Sequence, residues 1–250
     1  MDILYIVGRG SVWQDNELRY SLRSIAKNGR NVGRVFICGY IPRWVNTHNA
    51  ICLPFADQTK CKHWNICDAI LYAADVANLG GASGEFLYSS DDHFYVRPTD
   101  FDAYPYYCKG ELPEVVEEND PNKEYHTTLV NTRKVLAAAG LTTHMFNWHG
   151  NTHFNAHLLR TPELRNLYAI GHKMTEGVEP TAIMLNYQLA VQGFEITMRD
   201  DCKTPYRATK DDIERIAKKR ECISSVPSIV GSGLHKYLFS NFKQKSKYEL

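Results

Sequence analysis

Apolar positions in the first ninety residues fall into short runs separated by stretches of helical spacing. Ile3 to Val7 is an unbroken apolar run rich in β-formers and is halted by Gly8-Arg9-Gly10, which predicts a buried parallel strand. Asp15 stands where it can cap a helix whose apolar positions Leu18, Leu22, Ile25 and Ala26 recur at i, i+4, i+7 and i+8, with Gly29 as its stop. Arg34 to Cys38 and Ala50 to Leu53 predict the next strands. A second helix then carries Ile66, Ile70, Ala73, Ala74 and Ala77 on one face and ends by Gly80-Gly81, before a strand at Glu85 to Ser89. Strands alternating with helices at this spacing build an α/β, mainly parallel, Rossmann-like sheet.

The second half is less regular. Gly110 to Glu124 holds six acids, one Lys, Pro113 and Pro121, and reads as a mobile surface loop. Asn131 to Ala139 has helical spacing and stops at Gly140, and Thr161-Pro162-Glu163 is a helix start with threonine at the cap and proline at the first position. Pro180 to Gln192 predicts another helix, ended by Gly193 and followed by a strand at Phe194 to Met198. Thr209 to Glu221 is acidic at its start and basic at its end, matching the helix dipole. No repeat and no long linker interrupts the chain, so residues 1–250 are expected to form one domain.

Composition narrows the class. Lys and Arg number 29 against 28 Asp and Glu, a net charge of +1, which excludes a chain built mainly to hold a polyanion or a polycation. No apolar run approaches the ~20 residues that span a bilayer. Asp2 follows Met1 directly, so no basic leader is read, and seven scattered cysteines form no dense framework. The expectation is a cytoplasmic chain with reduced thiols.

The sharpest chemical feature is Tyr88-Ser89-Ser90-Asp91-Asp92-His93-Phe94, where two carboxylates and an imidazole stand as an apolar strand runs out. Ligands of open α/β sheets gather beyond the carboxyl ends of the strands. Adjacent carboxylates repel unless a positive group joins them, and oxygen ligands suit Mg²⁺ or Mn²⁺. The plain alternative is a turn in which Asp91 caps the next segment.

Context adds to this. Asn16-Glu17-Leu18-Arg19-Tyr20-Ser21-Leu22-Arg23-Ser24-Ile25, the strand Val35-Phe36-Ile37 and the turn Ile41-Pro42-Arg43-Trp44-Val45-Asn46 closely resemble the Stealth family of sugar-phosphate transferases, and Tyr88 to Tyr95 resembles that family's Asn-Asp-Asp stretch in register. The resemblance covers roughly the first hundred residues. It implies a single glycosyltransferase A-type (GT-A) domain, with residues 1–100 as the nucleotide-sugar-binding half and 101–250 as the acceptor side and C-terminal lid. By position, Asp92 resembles the metal-chelating acid and Asp91 the acid near the ribose. Ser90 occupies the place of the first acid of the element, and His93 stands where the family has an apolar residue. The segment His153-Phe154-Asn155-Ala156-His157 faintly resembles a strand of glycogenin-like retaining glycosyltransferases.

The donor candidates are Gly8, Arg9 and Gly10 after the first strand, Arg19 and Arg23 one turn apart on the first helix, and Lys62 and Asn65 at the start of the second. Each has a plain alternative as a turn or a solvated charge. His144, His149, His153 and His157 cluster in sequence. They read as polar groups of a cleft wall in preference to a zinc site, with His153 or His157 as a catalytic candidate on the acceptor side. The tail offers His235 as a further metal ligand and Lys236 as a donor contact, on the resemblance to lids of this fold. For an inverting reaction the base is open among Asp200, Asp201 and these histidines. The resulting expectation is a Mn²⁺- or Mg²⁺-dependent glycosyltransferase moving a sugar from a nucleotide-sugar, a uridine diphosphate (UDP) sugar by preference. The acceptor is an open choice among a glycan, a lipid-linked sugar, another hydroxyl or a nucleic acid. The alternatives are a Stealth-like hexose-1-phosphate transferase, a metal-dependent hydrolase built on the His144–His157 cluster, and a non-catalytic sugar- or nucleotide-binding module.

Overall fold

The computed structural model of the chain describes residues 1–142, 144–148, 150–205, 207–225 and 229–250. Strand β1 (Asp2–Val7) is the centre of the architecture because both of its faces are apolar. Ile3, Tyr5 and Val7 pack into one cluster with Leu18, Leu22 and Ile25 of α1 (Asn16–Asn28), while Leu4 faces the opposite cluster. Asp15 does not cap α1. Its backbone is left-handed (φ 59°) and its side chain makes no cap bond. The Ser11 hydroxyl closes that turn instead, accepting from the Trp13 and Asp15 N–H groups and donating to Glu17.

A two-residue strand β2 (Gly29–Arg30) leads to β3 (Val35–Gly39) and β4 (Ile51–Pro54). Helix α2 (Lys62–Val76) buries Cys67, Ala69, Ile70, Ala73 and Ala74, and it stops short of the predicted glycines. It feeds β5 (Glu85–Ser89), β6 (His93–Tyr95) and β7 (Thr99–Asp100), which pairs with β2. The expected acidic loop is the largest departure. Residues 110–124 instead hold the end of β8 (Tyr106–Glu111) and helix α3 (Leu112–Glu118), which buries Leu112, Val115 and Val116 beneath its glutamates. Those apolar residues sit at i, i+3 and i+4, enough to seat one face of a short helix. Helix α4 (Glu124–Ala138) starts a full two turns before the predicted Asn131.

Strands β9 (Met145–Asn147) and β10 (Thr152–Asn155) follow, then α5 (Ala156–Leu159), α6 (Pro162–Gly171) and α7 (Pro180–Gln192). Thr161 caps α6 and Gly193 ends α7, as the residue types predict. β11 (Ile196–Met198), α8 (Lys210–Ala217) with its Thr209–Asp212 capping box, β12 (Cys222–Ser224) and α9 (Gly233–Asn241) complete the chain. The main sheet has the order β10-β5-β1-β3-β4, with β5, β1, β3 and β4 parallel and β10 antiparallel on the edge. Among the described residues no helix is long and apolar enough to cross a membrane.

Candidate functional site

The carboxyl ends of the parallel strands meet at one cleft of about 740 Å³. Val7, Gly8 and Arg9 reach it from β1, Gly39 from β3, Phe55 from just beyond β4, and Ser90, Asp91 and Asp92 from β5. Gly39 is required there. Its φ is +109°, and a Cβ would lie 2.2 Å from the Val7 carbonyl oxygen. Helix α2 walls the cleft with Lys62, Asn65, Ile66 and Ala69, positions spaced i, i+3, i+4 and i+7 on one face.

Charge is arranged unevenly in this cleft. Asp91 is pushed up to about 7 by burial first, then by Asp92 and Glu17, while Lys62 pulls the other way. Asp92 accepts from the Ser225 hydroxyl at 3.1 Å and lies 3.9 Å from the His93 ring. His93 itself is buried on β6, with its Nδ1 accepting from the Ser90 N–H. Arg9 lies over the Tyr40 ring at 5.0 Å and lines the cleft beside Lys60 and Lys62. Among the described residues no group of three or more His, Cys, Asp or Glu side chains is poised to hold a metal ion. The acidic side chains that line this cleft are Glu17, Asp57, Asp91 and Asp92.

A second cleft, of about 1030 Å³, opens on the other side of Asp92. Lys60, Lys62, Ile66, Tyr88, Ser90 and Asp92 line both. The second cleft adds His63 and Trp64 from α2, Tyr125 from α4, Trp148, and Glu179 ahead of α7. Two compartments thus share one acidic edge, as a two-substrate site requires.

The structure brings Gly8, Arg9, Lys62, Asn65, Asp91 and Asp92 together and separates the other candidates from them. Asn65 is occupied with its own loop, accepting from the Gln58 and Thr59 N–H groups and donating to the Thr59 carbonyl. Gly10 has a φ of +124° but does not line the cleft. Arg19 and Arg23 are not donor contacts: both pair with Glu249, Arg23 in bidentate fashion at 2.8 and 2.7 Å, and Arg19 stacks on Trp44. His153 is buried on β10, stacked on Tyr106 and donating to the Tyr104 carbonyl, and burial pushes its imidazole down to about 4. His157 is exposed on α5 and bonds the Ala82 carbonyl, and His144 bonds the Leu141 carbonyl. These three rings serve different backbone segments and do not converge, which removes the basis for a hydrolase on that cluster; His149 lies outside the described residues. His235 meets the Trp13 ring edge-on and accepts from the Gly231 N–H, while Lys236 is exposed on α9. Neither lines either cleft among the described residues. Asp200 and Asp201 likewise lie outside both linings.

Sequence reasoning missed Lys60, His63, Glu179 and Ser225. Glu179 precedes a proline that opens a helix, and that context disguised it as a cap.

No family model matches the chain. Over 105 residues it is 30% identical to an exopolysaccharide phosphotransferase of Nocardia farcinica, and over 125 residues 28% identical to the exopolysaccharide phosphotransferase CpsY of Mycobacterium tuberculosis. These stretches are 37% and 45% of this chain but only 20% and 23% of the relatives, so the chain spans about a fifth of the length of the curated relatives it matches. Among solved structures it is similar to the galactosyltransferase LgtC in complex with donor and acceptor sugar analogues (TM-score 0.52, 11% identity) and to an active-site mutant of LgtC (TM-score 0.51, 12% identity). Both alignments cover 99% of this chain and 98% of the other. The fold is that of a GT-A glycosyltransferase, and part of the chain is distantly related to the Stealth-type phosphotransferases.

Proposed function

We propose that the chain is a sugar-transferring enzyme that takes a nucleotide-sugar, a UDP-sugar by preference, in the first cleft and a hydroxyl acceptor in the second. One observation carries this reading. Asp91 and Asp92 stand at the carboxyl edge of β5, where a cleft lined by Arg9, Lys60 and Lys62 adjoins a second, larger cleft. Residues 1–100 supply most of the donor wall and the later residues much of the acceptor wall, within one folded unit.

The acidic edge fits a divalent cation. Burial first, and then the neighbouring Asp92 and Glu17, raises Asp91, and a hard cation such as Mn²⁺ or Mg²⁺ held by one or two carboxylates and phosphate oxygens matches this donor set. Asp92 and Asp91 would hold it, and its chemistry there is to neutralise charge on the departing phosphate. Arg9 and Lys62 orient the phosphates through charge-assisted hydrogen bonds.

The test is a thermal-shift titration of UDP with and without Mn²⁺. A ligand at a hundred times its Kd stabilises by about 2.7 kcal/mol, and the shift should require the cation and vanish in Asp92→Ala. A shift that is indifferent to both overturns the reading.

A second reading, hexose-1-phosphate transfer, is favoured by the exopolysaccharide phosphotransferase relatives. The two differ in the bond broken, so release of UDP marks glycosyl transfer and release of UMP marks phosphoryl transfer.

A further inference from the structure

We infer that His63 is the base that takes the proton from the acceptor hydroxyl, with Glu179 as the counter-charge to the imidazolium that forms; the inference rests on the transferase reading above. His63 lies in the first turn of α2 and lines only the second cleft, beside Asp92. Its side chain is 16% exposed, enough for a substrate to reach one edge of the ring.

The base role requires one tautomer, and the hydrogen bonds around the ring admit it. The Thr128 hydroxyl lies 3.0 Å from the Glu176 carbonyl, 3.3 Å from the Glu124 carbonyl and 3.3 Å from His63 Nδ1. With the Thr128 proton given to one of these carbonyls, its oxygen accepts from Nδ1–H. Nε2 then carries the lone pair, and it faces Glu179 Oε2 at 3.9 Å. A lone pair set against a carboxylate is an arrangement that improves when a proton arrives, because the imidazolium so formed is paired at once. Tyr125 stacks against the ring with centroids 6.1 Å apart, fixing its plane. Glu179 is fixed in turn, since its N–H donates to Thr132 and its Oε1 accepts from Thr181. The charged groups and the histidine that line this cleft with His63 are Lys60, Lys62, Asp92, His93, Glu124, Lys173, Glu176, Glu179 and Lys203.

The chemistry balances for either transfer. The acceptor oxygen forms a bond to the sugar C1, or to phosphorus, as its proton passes to His63 Nε2. The bond from that centre to the nucleotide oxygen breaks, and its electron pair leaves with the nucleotide. The proton is later lost to water. His63 is the catalytic group here, and Glu179 acts through it.

Two experiments test the assignment. In the first, UDP-glucose and UDP-galactose are offered with a panel of methyl hexosides to the wild type, His63→Gln and Glu179→Gln. His63→Gln should lose about 10²–10⁴-fold in transfer kcat/KM and keep the cation-dependent UDP thermal shift. Glu179→Gln should lower kcat and leave the donor KM and the melting temperature unchanged, a split that a merely structural carboxylate would not give. In the second, long-range ¹H–¹⁵N NMR of the wild-type protein should show His63 as the Nδ1–H tautomer. A transferring His63→Gln enzyme, or an Nε2–H tautomer, overturns this assignment and leaves the transferase reading standing. A wild type that neither binds UDP nor turns over either donor overturns both. If UDP binds but no hexoside accepts, the tautomer decides alone.

Discussion

Replacing Glu249 with Gln asks whether Arg19 and Arg23 hold the fold or hold a donor. The carboxylate is 3% exposed and receives Arg23 Nε and Nη2 at 2.8 and 2.7 Å, the Ser246 N–H at 2.8 Å and Arg19 Nε at 3.4 Å. Breaking a buried ion pair by removing one partner costs about 3–5 kcal/mol. Arg23 keeps its bond to the Phe242 carbonyl and its place over the Tyr20 ring, and Arg19 is 29% exposed, so the lower end applies, about 3 kcal/mol. For a chain of this size each kcal/mol moves Tm by about 2–4 °C, giving a fall of roughly 6–12 °C at neutral pH. Burial alone would raise Glu249, but Arg23 and the Ser246 donors outweigh it and hold the carboxyl below its ordinary 4.5. A depressed carboxylate contributes stability that is present above the unfolded value and lost as pH falls through the folded one. Calorimetry from pH 8 to 3 should therefore show the gap between wild type and Glu249→Gln closing below about pH 4.5. A variant that melts with the wild type but no longer binds UDP would refute the reasoning and return both arginines to the donor site.

Two other substitutions probe the scaffold of the clefts. His153 is depressed from 6.5 to about 4, so between those values the unfolded chain binds more protons and stability falls as pH drops, by about 3 kcal/mol in all; urea unfolding of His153→Gln should lack this slope, and an unchanged slope would show that the ring is not the cause. Asn65→Ala frees the backbone at Gln58 and Thr59, so hydrogen exchange there should accelerate and stability should fall by about 1–3 kcal/mol; unaltered exchange would mean that the loop is held by something else.

The limits of sequence reasoning follow from distance and from boundaries. Strands β1, β3 and β5 were legible because each buries a short apolar run between two glycine- or polar-rich turns, whereas the edge strand β10 carries no such run. Helix α3 was not, because its three glutamates mask three apolar residues that suffice to seat it. Arg19 and Arg23 looked available because their partner, Glu249, lies 226 residues from Arg23. His153 and His157 have the spacing of paired helix ligands, yet the boundary between β10 and α5 falls between them, with Asn155 capping the helix. Four residues across a strand-to-helix junction do not share a face. The Asp91–Asp92 pair was legible for the opposite reason: its place at the end of an apolar strand is a local fact, and the fold needs only to be α/β for that place to be a cleft.

Helix α2 is where the two compartments are held apart, and its period explains how. Consecutive residues of an α-helix are about 100° apart, so Lys62 and His63 point in different directions from the same turn. Lys62, Asn65, Ile66 and Ala69 line the first cleft, whereas His63 and Trp64 line only the second. The core face of the same helix, Ile70, Ala73 and Ala74, is buried against the sheet and leaves the helix no freedom to rotate. Lys62 and Ile66 reach both clefts, and Lys62 also opposes the rise of Asp91. A change at 62 therefore alters the charge on the donor side and the wall of the acceptor side together. A change at 63, one residue and about 100° away, reaches the acceptor side alone.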